Sequence, residues 1–150
     1  MKIDELKKRI ANFENVDLIG TVSDDLIRQA EAELGFKLPS QYRAFISNFG
    51  CGGIESEEFI GLGGPEHLNV SKMVVRLKGK NRALPHHLLP LRADGFGNYD
   101  CVDLQQPRDG AEFAIVRWVH DATVEDQHEV VADSYWQWFE SILTMIESSE

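Results

Sequence analysis

The residues in this chain best suited to metal or nucleophile chemistry are its histidines and its two cysteines. His86 and His87 are adjacent. On an extended segment neighbouring side chains leave on opposite faces, so the two rings do not converge on one ion. His120, Asp121 and His128 offer a second imidazole and carboxylate set. Histidines on a polar loop are ordinarily solvated, so no metal and no cofactor is expected. Cys101 is flanked by Asp100 and Asp103, whose negative charge raises a thiol pKa and opposes the thiolate a nucleophile needs. In a strand, Cys101 points into the core and Asp100 the other way. Cys51 follows a predicted helix C-terminus, whose dipole also disfavours a thiolate. No residue is therefore assigned a catalytic role, and the chain is read as a non-enzyme.

Two further patterns suggest phosphate chemistry and fall short of it. Gly61-Leu62-Gly63-Gly64 could offer backbone N–H groups to an anion, but it lacks the Lys-Ser/Thr ending of a nucleotide loop and reads as a turn. Lys72, Arg76, Lys78, Lys80 and Arg82 form a basic cluster, with Lys72 and Arg76 four apart on one helical face. No aromatic residue stands among them to stack a base, so they read as a solvated helix end. What remains is acid. The 150 residues carry a formal net charge of −10, and no Lys or Arg follows Arg117. Glu55, Glu57 and Glu58 form one acidic cluster, and Asp121, Glu125, Asp126 and Glu129 another. Such a field repels nucleic acid and attracts a basic protein.

The elements that must position these residues follow from periodicity. Ile3, Leu6, Ile10 and Phe13 space a first amphipathic helix. Ser23 caps a second, with Leu26, Ile27, Ala30 and Leu34 inward, and Gly35 can close it in the left-handed conformation. Pro39 suits the first turn of a third helix, which buries Tyr42, Phe45, Ile46 and Phe49 and stops at Gly50-Cys51-Gly52-Gly53. Phe59 to Leu62 reads as a short strand. Gly63-Gly64-Pro65 breaks it and opens a helix through Leu68, Met73, Val74 and Leu77, ended by Leu84 and Pro85. Leu88–Ala93 and Tyr99–Leu104 read as strands around an Asp94–Asn98 hairpin turn, with a second turn at Gln106–Gly110. Phe113 to His120 alternates as a strand, and Asp121 to Glu129 is a polar loop. Asp133 or Ser134 caps a last helix, with Gln137 three residues after Ser134 as a capping box requires, and Tyr135, Trp138, Phe139, Ile142, Leu143 and Ile146 inward. The expectation is α+β: one domain over residues 1–150, about four helices packed on a mostly antiparallel sheet. A chain of this length buries enough surface to need no disulfide or metal. Its charged N-terminus lacks the apolar run of a signal peptide, and no stretch has the length of a membrane span. A cytoplasmic location, reduced cysteines and no membrane partner are expected.

Three blocks in this order resemble the SUKH superfamily, which includes the yeast cell-wall synthesis regulator and many bacterial immunity proteins. The first is Leu34-Gly35, Leu38-Pro39, Tyr42, Phe45 and Gly50-Cys51-Gly52-Gly53. The second is Leu88-Leu89-Pro90-Leu91, leading through Gly95 and Gly97 to Tyr99-Asp100-Cys101-Val102-Asp103-Leu104. The third is Val116-Arg117-Trp118, then Val131-Ala132-Asp133-Ser134 and Trp138-Phe139. The resemblance implies an α+β fold and no catalytic residues. It also implies that the chain acts by binding a protein, in many bacterial members a toxin and often a nuclease. The eukaryotic regulators carry long additional segments, and these 150 residues resemble the compact bacterial type.

The sequence reading is therefore an immunity protein that binds a basic toxin domain without turnover. The alternative is a housekeeping regulatory module that binds a cellular protein. Expected charged contacts are Glu55, Glu57, Glu58, Asp94, Asp121, Glu125 and Asp126, with Phe96 or Tyr99 as an apolar anchor.

Overall fold

The computed structural model describes residues 2–79, 83–119 and 128–149. Helix α1 (Lys2–Ile10) buries Leu6 and Ile10, and Phe13 follows it into the core. Ser23 caps α2 (Asp24–Leu34): its hydroxyl accepts the Leu26 N–H at 3.2 Å. Gly35 closes the helix at φ 88°, its N–H bonded to the Glu31 carbonyl. Ile27 and Ala30 face inward as expected, but Leu26 is 36% exposed. The buried stripe runs through positions 27, 30 and 34, and residue 26 lies at its margin. In α3 (Ser40–Phe49) Tyr42, Phe45, Ile46 and Phe49 are buried, and Pro39 stands at the cap rather than in the first turn.

Strands β1 (Val16–Leu18), β2 (Gly52–Ile54) and β3 (Glu57–Phe59) form an antiparallel three-stranded sheet in that order. This corrects two expectations. Gly50–Gly53 is not only a turn, because Gly52 and Gly53 pair with Leu18 and Asp17. The strand expected at Phe59–Leu62 lies earlier, and Gly61 instead bridges Asn69. Pro65 opens only a single 3-10 turn, Glu66–Leu68. Helix α4 (Val70–Lys78) begins after it, where the Asn69 carboxamide accepts the Lys72 N–H at 3.0 Å. It ends at Gly79, ahead of Leu84 and Pro85.

The second sheet has the order β4 (Leu88–Ala93), β5 (Tyr99–Arg108), β6 (Glu112–Trp118) and β7 (Glu129–Ala132), antiparallel throughout. Strand β5 runs four residues past the expected end at Leu104. A bulge between Val102 and Pro107 accommodates the proline, and the turn falls at Asp109–Ala111. Strand β7 was not foreseen, because only four residues pair and two of them are exposed. Helix α5 (Tyr135–Ser149) covers β6 and β7. Its six predicted inward residues are all buried, and Tyr135, Trp138 and Phe139 meet Tyr42, Phe45 and Phe59 in one aromatic cluster. The capping box forms with a shift of one residue. The Ser134 hydroxyl accepts the Gln137 N–H, and the Gln137 side chain accepts the Asp133 N–H at 2.6 Å.

Glu112 joins two helix starts. Its buried carboxylate accepts the Gln41 N–H of α3 at 3.1 Å and the Tyr135 N–H of α5. Burial pushes its pKa above the ordinary value of 4.5, against the pull of those two N–H groups. The folded state therefore holds this proton more tightly than the unfolded chain. Its contribution to stability is greatest below pH 4.5 and falls as pH rises through the raised value. Glu112→Gln keeps an acceptor and removes the ionisation. Relative to wild type, the variant should gain stability by urea unfolding as pH rises from 4.5 through the raised value, and hold a constant advantage above it. A difference that does not change from pH 4.5 upward would refute the assignment.

Candidate functional site

The strands of the second sheet carry charge where their neighbours are apolar. Arg92, Asp100 and Arg117 stand side by side in register across β4, β5 and β6. Asp100 is 1% exposed and its carboxylate accepts from Arg92 at 3.1 Å, from Arg117 at 3.3 Å and from the Trp138 indole at 3.0 Å. Arg92 reaches onward to Glu57 on β3. Cys101 points to the opposite face as expected, but Asp100 is buried too, because α5 covers its side of the sheet. This chain of four charges ties the edge of the first sheet to the second, alongside the bond from the Ile60 N–H to the Leu91 carbonyl at 2.9 Å.

A cleft of about 430 Å³ lies beside that junction. Strand β3 contributes Glu57 and Glu58, the 3-10 turn His67, and α4 Met73, Arg76 and Leu77. The hairpin after β4 adds Asp94 and Gly95, and Tyr99 closes the floor. The hairpin is held by Asp94, whose carboxylate accepts the N–H groups of Phe96 at 2.7 Å and Asn98 at 3.1 Å. Partial burial opposes ionisation of Asp94. The bonds from Phe96 and Asn98, with Arg117 nearby, outweigh it and hold the carboxyl below its ordinary value. Phe96, next to Gly95 on the rim, is 87% exposed. Glu58 faces water, with only a 3.5 Å approach from the His67 ring.

The structure thus brings four of the expected contact residues to one cleft: Glu57, Glu58, Asp94 and Tyr99. Three of these are engaged internally, Asp94 by the hairpin N–H groups already described. Glu57 is spent on Arg92, and Tyr99 is only 9% exposed, so of the two expected anchors only Phe96 is presented to solvent. Glu55 lies round the β2–β3 turn at φ 52°, where its carboxylate accepts the Asn15 N–H at 3.0 Å and the Asn15 side chain at 3.1 Å. Those bonds keep its pKa low. Asp121, Glu125 and Asp126 lie outside the described residues. Other parts of the acidic tail are paired: Glu140 with Lys2, Glu147 with Arg9 and Asp133 with Arg108.

His86 and His87 sit in a turn rather than on an extended segment, with ring centroids 5.5 Å apart. His87 also neighbours His128 at 6.5 Å. Among the described residues no three His, Cys, Asp or Glu side chains are placed to hold a metal ion. Both cysteines are buried and unpaired, and burial pushes both thiols up. Reading the sequence assigned no role to Arg92 or Glu112, and took Arg117 only as a strand residue and Trp138 only as an inward helix residue. For the arginines the available signal was a single cation inside a mainly apolar strand.

Among the described residues the fold is an α+β arrangement of five α-helices and two antiparallel sheets. The family described as SMI1-KNR4 cell-wall (SUKH_5) matches residues 1–144, and the chain belongs to that family. A crystal structure of a protein from Pseudomonas syringae pv. tomato has a TM-score of 0.69 and 18% identity. It covers 93% of this chain, and 96% of that protein is covered in turn. At that identity the likeness establishes the fold alone. Comparison with curated proteins gives no match. Among the described residues no helix is long and apolar enough to cross a membrane.

Proposed function

We propose that this chain is an immunity protein that neutralises a toxin domain by stoichiometric binding, with the cleft beside the Asp94 hairpin as its contact surface. The observation that carries the reading is Phe96. A large apolar ring, 87% exposed, stands on a turn fixed by two hydrogen bonds at the rim of a cleft with acidic walls. Rigid aromatic anchors ringed by polar groups dominate the energetics of protein interfaces. Glu58 and Asp94 supply the charges of the cleft, and Glu55, Asp121, Glu125 and Asp126 are further proposed charged contacts. Glu57 acts from behind, holding Arg92. A nuclease must present cations to hold phosphate, and these carboxylates imitate that phosphate while long-range attraction speeds encounter. The net charge of −10 is consistent with a basic partner.

The test is co-expression with the toxin encoded beside the gene, followed by titration of the purified pair. Growth should be rescued and a one-to-one complex should form. Phe96→Ala should weaken that complex by at least about tenfold. The same change should leave the free energy of unfolding in urea within about 0.5 kcal/mol of wild type, because the ring touches solvent rather than core. Failure of rescue, or a Phe96→Ala complex as tight as wild type, would sink the proposal.

A further inference from the structure

The cleft is bipolar, and this limits what can fill it. On the strand side Glu58 meets only the His67 ring, at 3.5 Å, and Asp94 only the Phe96 and Asn98 N–H groups of its own hairpin; among the described residues neither has a Lys or Arg partner within the cleft, and Glu57 and Arg92 pair behind them. On the helix side Arg76 is exposed and forms no ion pair or hydrogen bond among the described residues. It belongs to the same cleft as three carboxylates, yet α4 holds it apart from all of them. Between the two poles lie the apolar side chains of Ile60, Met73 and Leu77.

An occupant that fills this space takes both poles out of water. A wholly basic segment would satisfy Glu58 and Asp94 but press like charge against Arg76. A wholly acidic one would do the reverse. Burial of an unmatched charge is strongly unfavourable, and like charges in contact are how an interface rejects wrong partners. The apolar middle suits the aliphatic stem of a long side chain whose charged head lies beyond it.

We infer that the cleft takes a mixed-charge segment of the partner, with an Arg or Lys side chain directed to Glu58 and Asp94 and a carboxylate directed to Arg76. This inference rests on the reading of the cleft as the partner's contact surface. Arg76 is then a specificity residue: it turns a general attraction for basic proteins into a requirement for a particular pairing of charges.

The test uses the full chain, labelled with ¹⁵N, and three capped tripeptides: Arg-Leu-Glu, Arg-Leu-Gln and Gln-Leu-Glu. Amide shifts of Met73, Leu77, Gly95 and Phe96 report occupancy of the cleft. Arg-Leu-Glu should bind at least about threefold more tightly than either of the others, the scale of one partly exposed ion pair. Arg76→Gln should erase its advantage over Arg-Leu-Gln, and Glu58→Gln its advantage over Gln-Leu-Glu. Equal binding of Arg-Leu-Gln and Arg-Leu-Glu to the wild-type chain, or tighter binding of Arg-Leu-Glu to the Arg76→Gln chain than to wild type, would overturn the inference. So would the absence of any shift at these amides. Those failures are separable from failure of the toxin reading: a toxin complex still broken by Phe96→Ala would leave that reading intact while the mixed-charge occupant is discarded.

Discussion

Asp100→Ala should cost about 3–5 kcal/mol of stability, the scale seen when one partner of a buried ion pair is removed. The carboxylate sits at the centre of the charged chain. It satisfies Arg92 through two nitrogens, Arg117 through one and the Trp138 indole through another. Alanine leaves the Arg92 guanidinium buried with only Glu57 to balance it, and leaves the indole N–H without its acceptor. Loss of an acceptor from a buried donor carries the full desolvation penalty of that donor. Asp100→Asn keeps the volume and an acceptor oxygen, so it should fall between alanine and wild type. Arg117→Ala should cost far less, because that side chain is 37% exposed and water replaces its partner. A paired replacement, Arg92→Met with Asp100→Leu, should recover part of the loss, since the two most buried charges go together and the partners left behind, Glu57 and Arg117, both reach water. Urea unfolding of the four variants decides the matter. An Asp100→Ala protein within about 1 kcal/mol of wild type would show that the network is not what holds the two sheets together.

The same residues mark where reading the sequence succeeded and where it stopped. The inward faces of α3 and α5 were legible because local spacing alone fixes which side chains share a helical face. Strand β4 and the hairpin after it were legible because a run apolar at every position but Arg92 ends at an Asp-Gly turn. The short strands β1, β2 and β7 were not, since three or four residues carry too little alternation to register. The cleft was half visible. Acid at Glu57, Glu58 and Asp94 could be read, but whether each carboxylate faces solvent or an arginine depends on how the β3 edge of the first sheet packs against β4 of the second, which is non-local. Arg76 read as part of a solvated helix end, because only the packing of α4 brings it opposite those carboxylates. The aromatic at position 96 and the one at position 99 were equivalent candidates in the sequence. The strand register separates them, by pairing Tyr99 with Ala93 and Trp118 and leaving Phe96 at the tip.

Glycine shows the same limit most sharply, and Gly61→Ala is expected to be as damaging as Asp100→Ala or worse. The Gly61-Leu62-Gly63-Gly64 run reads as a loop chosen for turning, yet no unusual φ is required at Gly61. Its reason is space. A Cβ there would lie 1.8 Å from the Gly50 carbonyl oxygen and 2.9 Å from its carbon. That same oxygen accepts the Leu62 N–H at 3.0 Å, and the Gly61 N–H bonds to the Leu68 carbonyl at 2.8 Å. Three segments therefore meet backbone to backbone, and none is a flexible side chain that could swing aside. Alanine must break these contacts, at a cost expected to exceed about 4 kcal/mol. For a chain of this size that lowers the melting temperature by roughly 8–16 °C. Gly35→Ala is the control: its Cβ meets nothing within 4 Å, so it bears only the strain of a left-handed φ of 88°, about 1–2 kcal/mol. If the two variants melt together, crowding at Gly61 is not the constraint. The distinction matters for binding as well. Gly61 follows Ile60 and bonds to Leu68, both in the cleft, so the close approach at residue 61 sets the spacing between the acidic strand wall and the helix that carries Arg76.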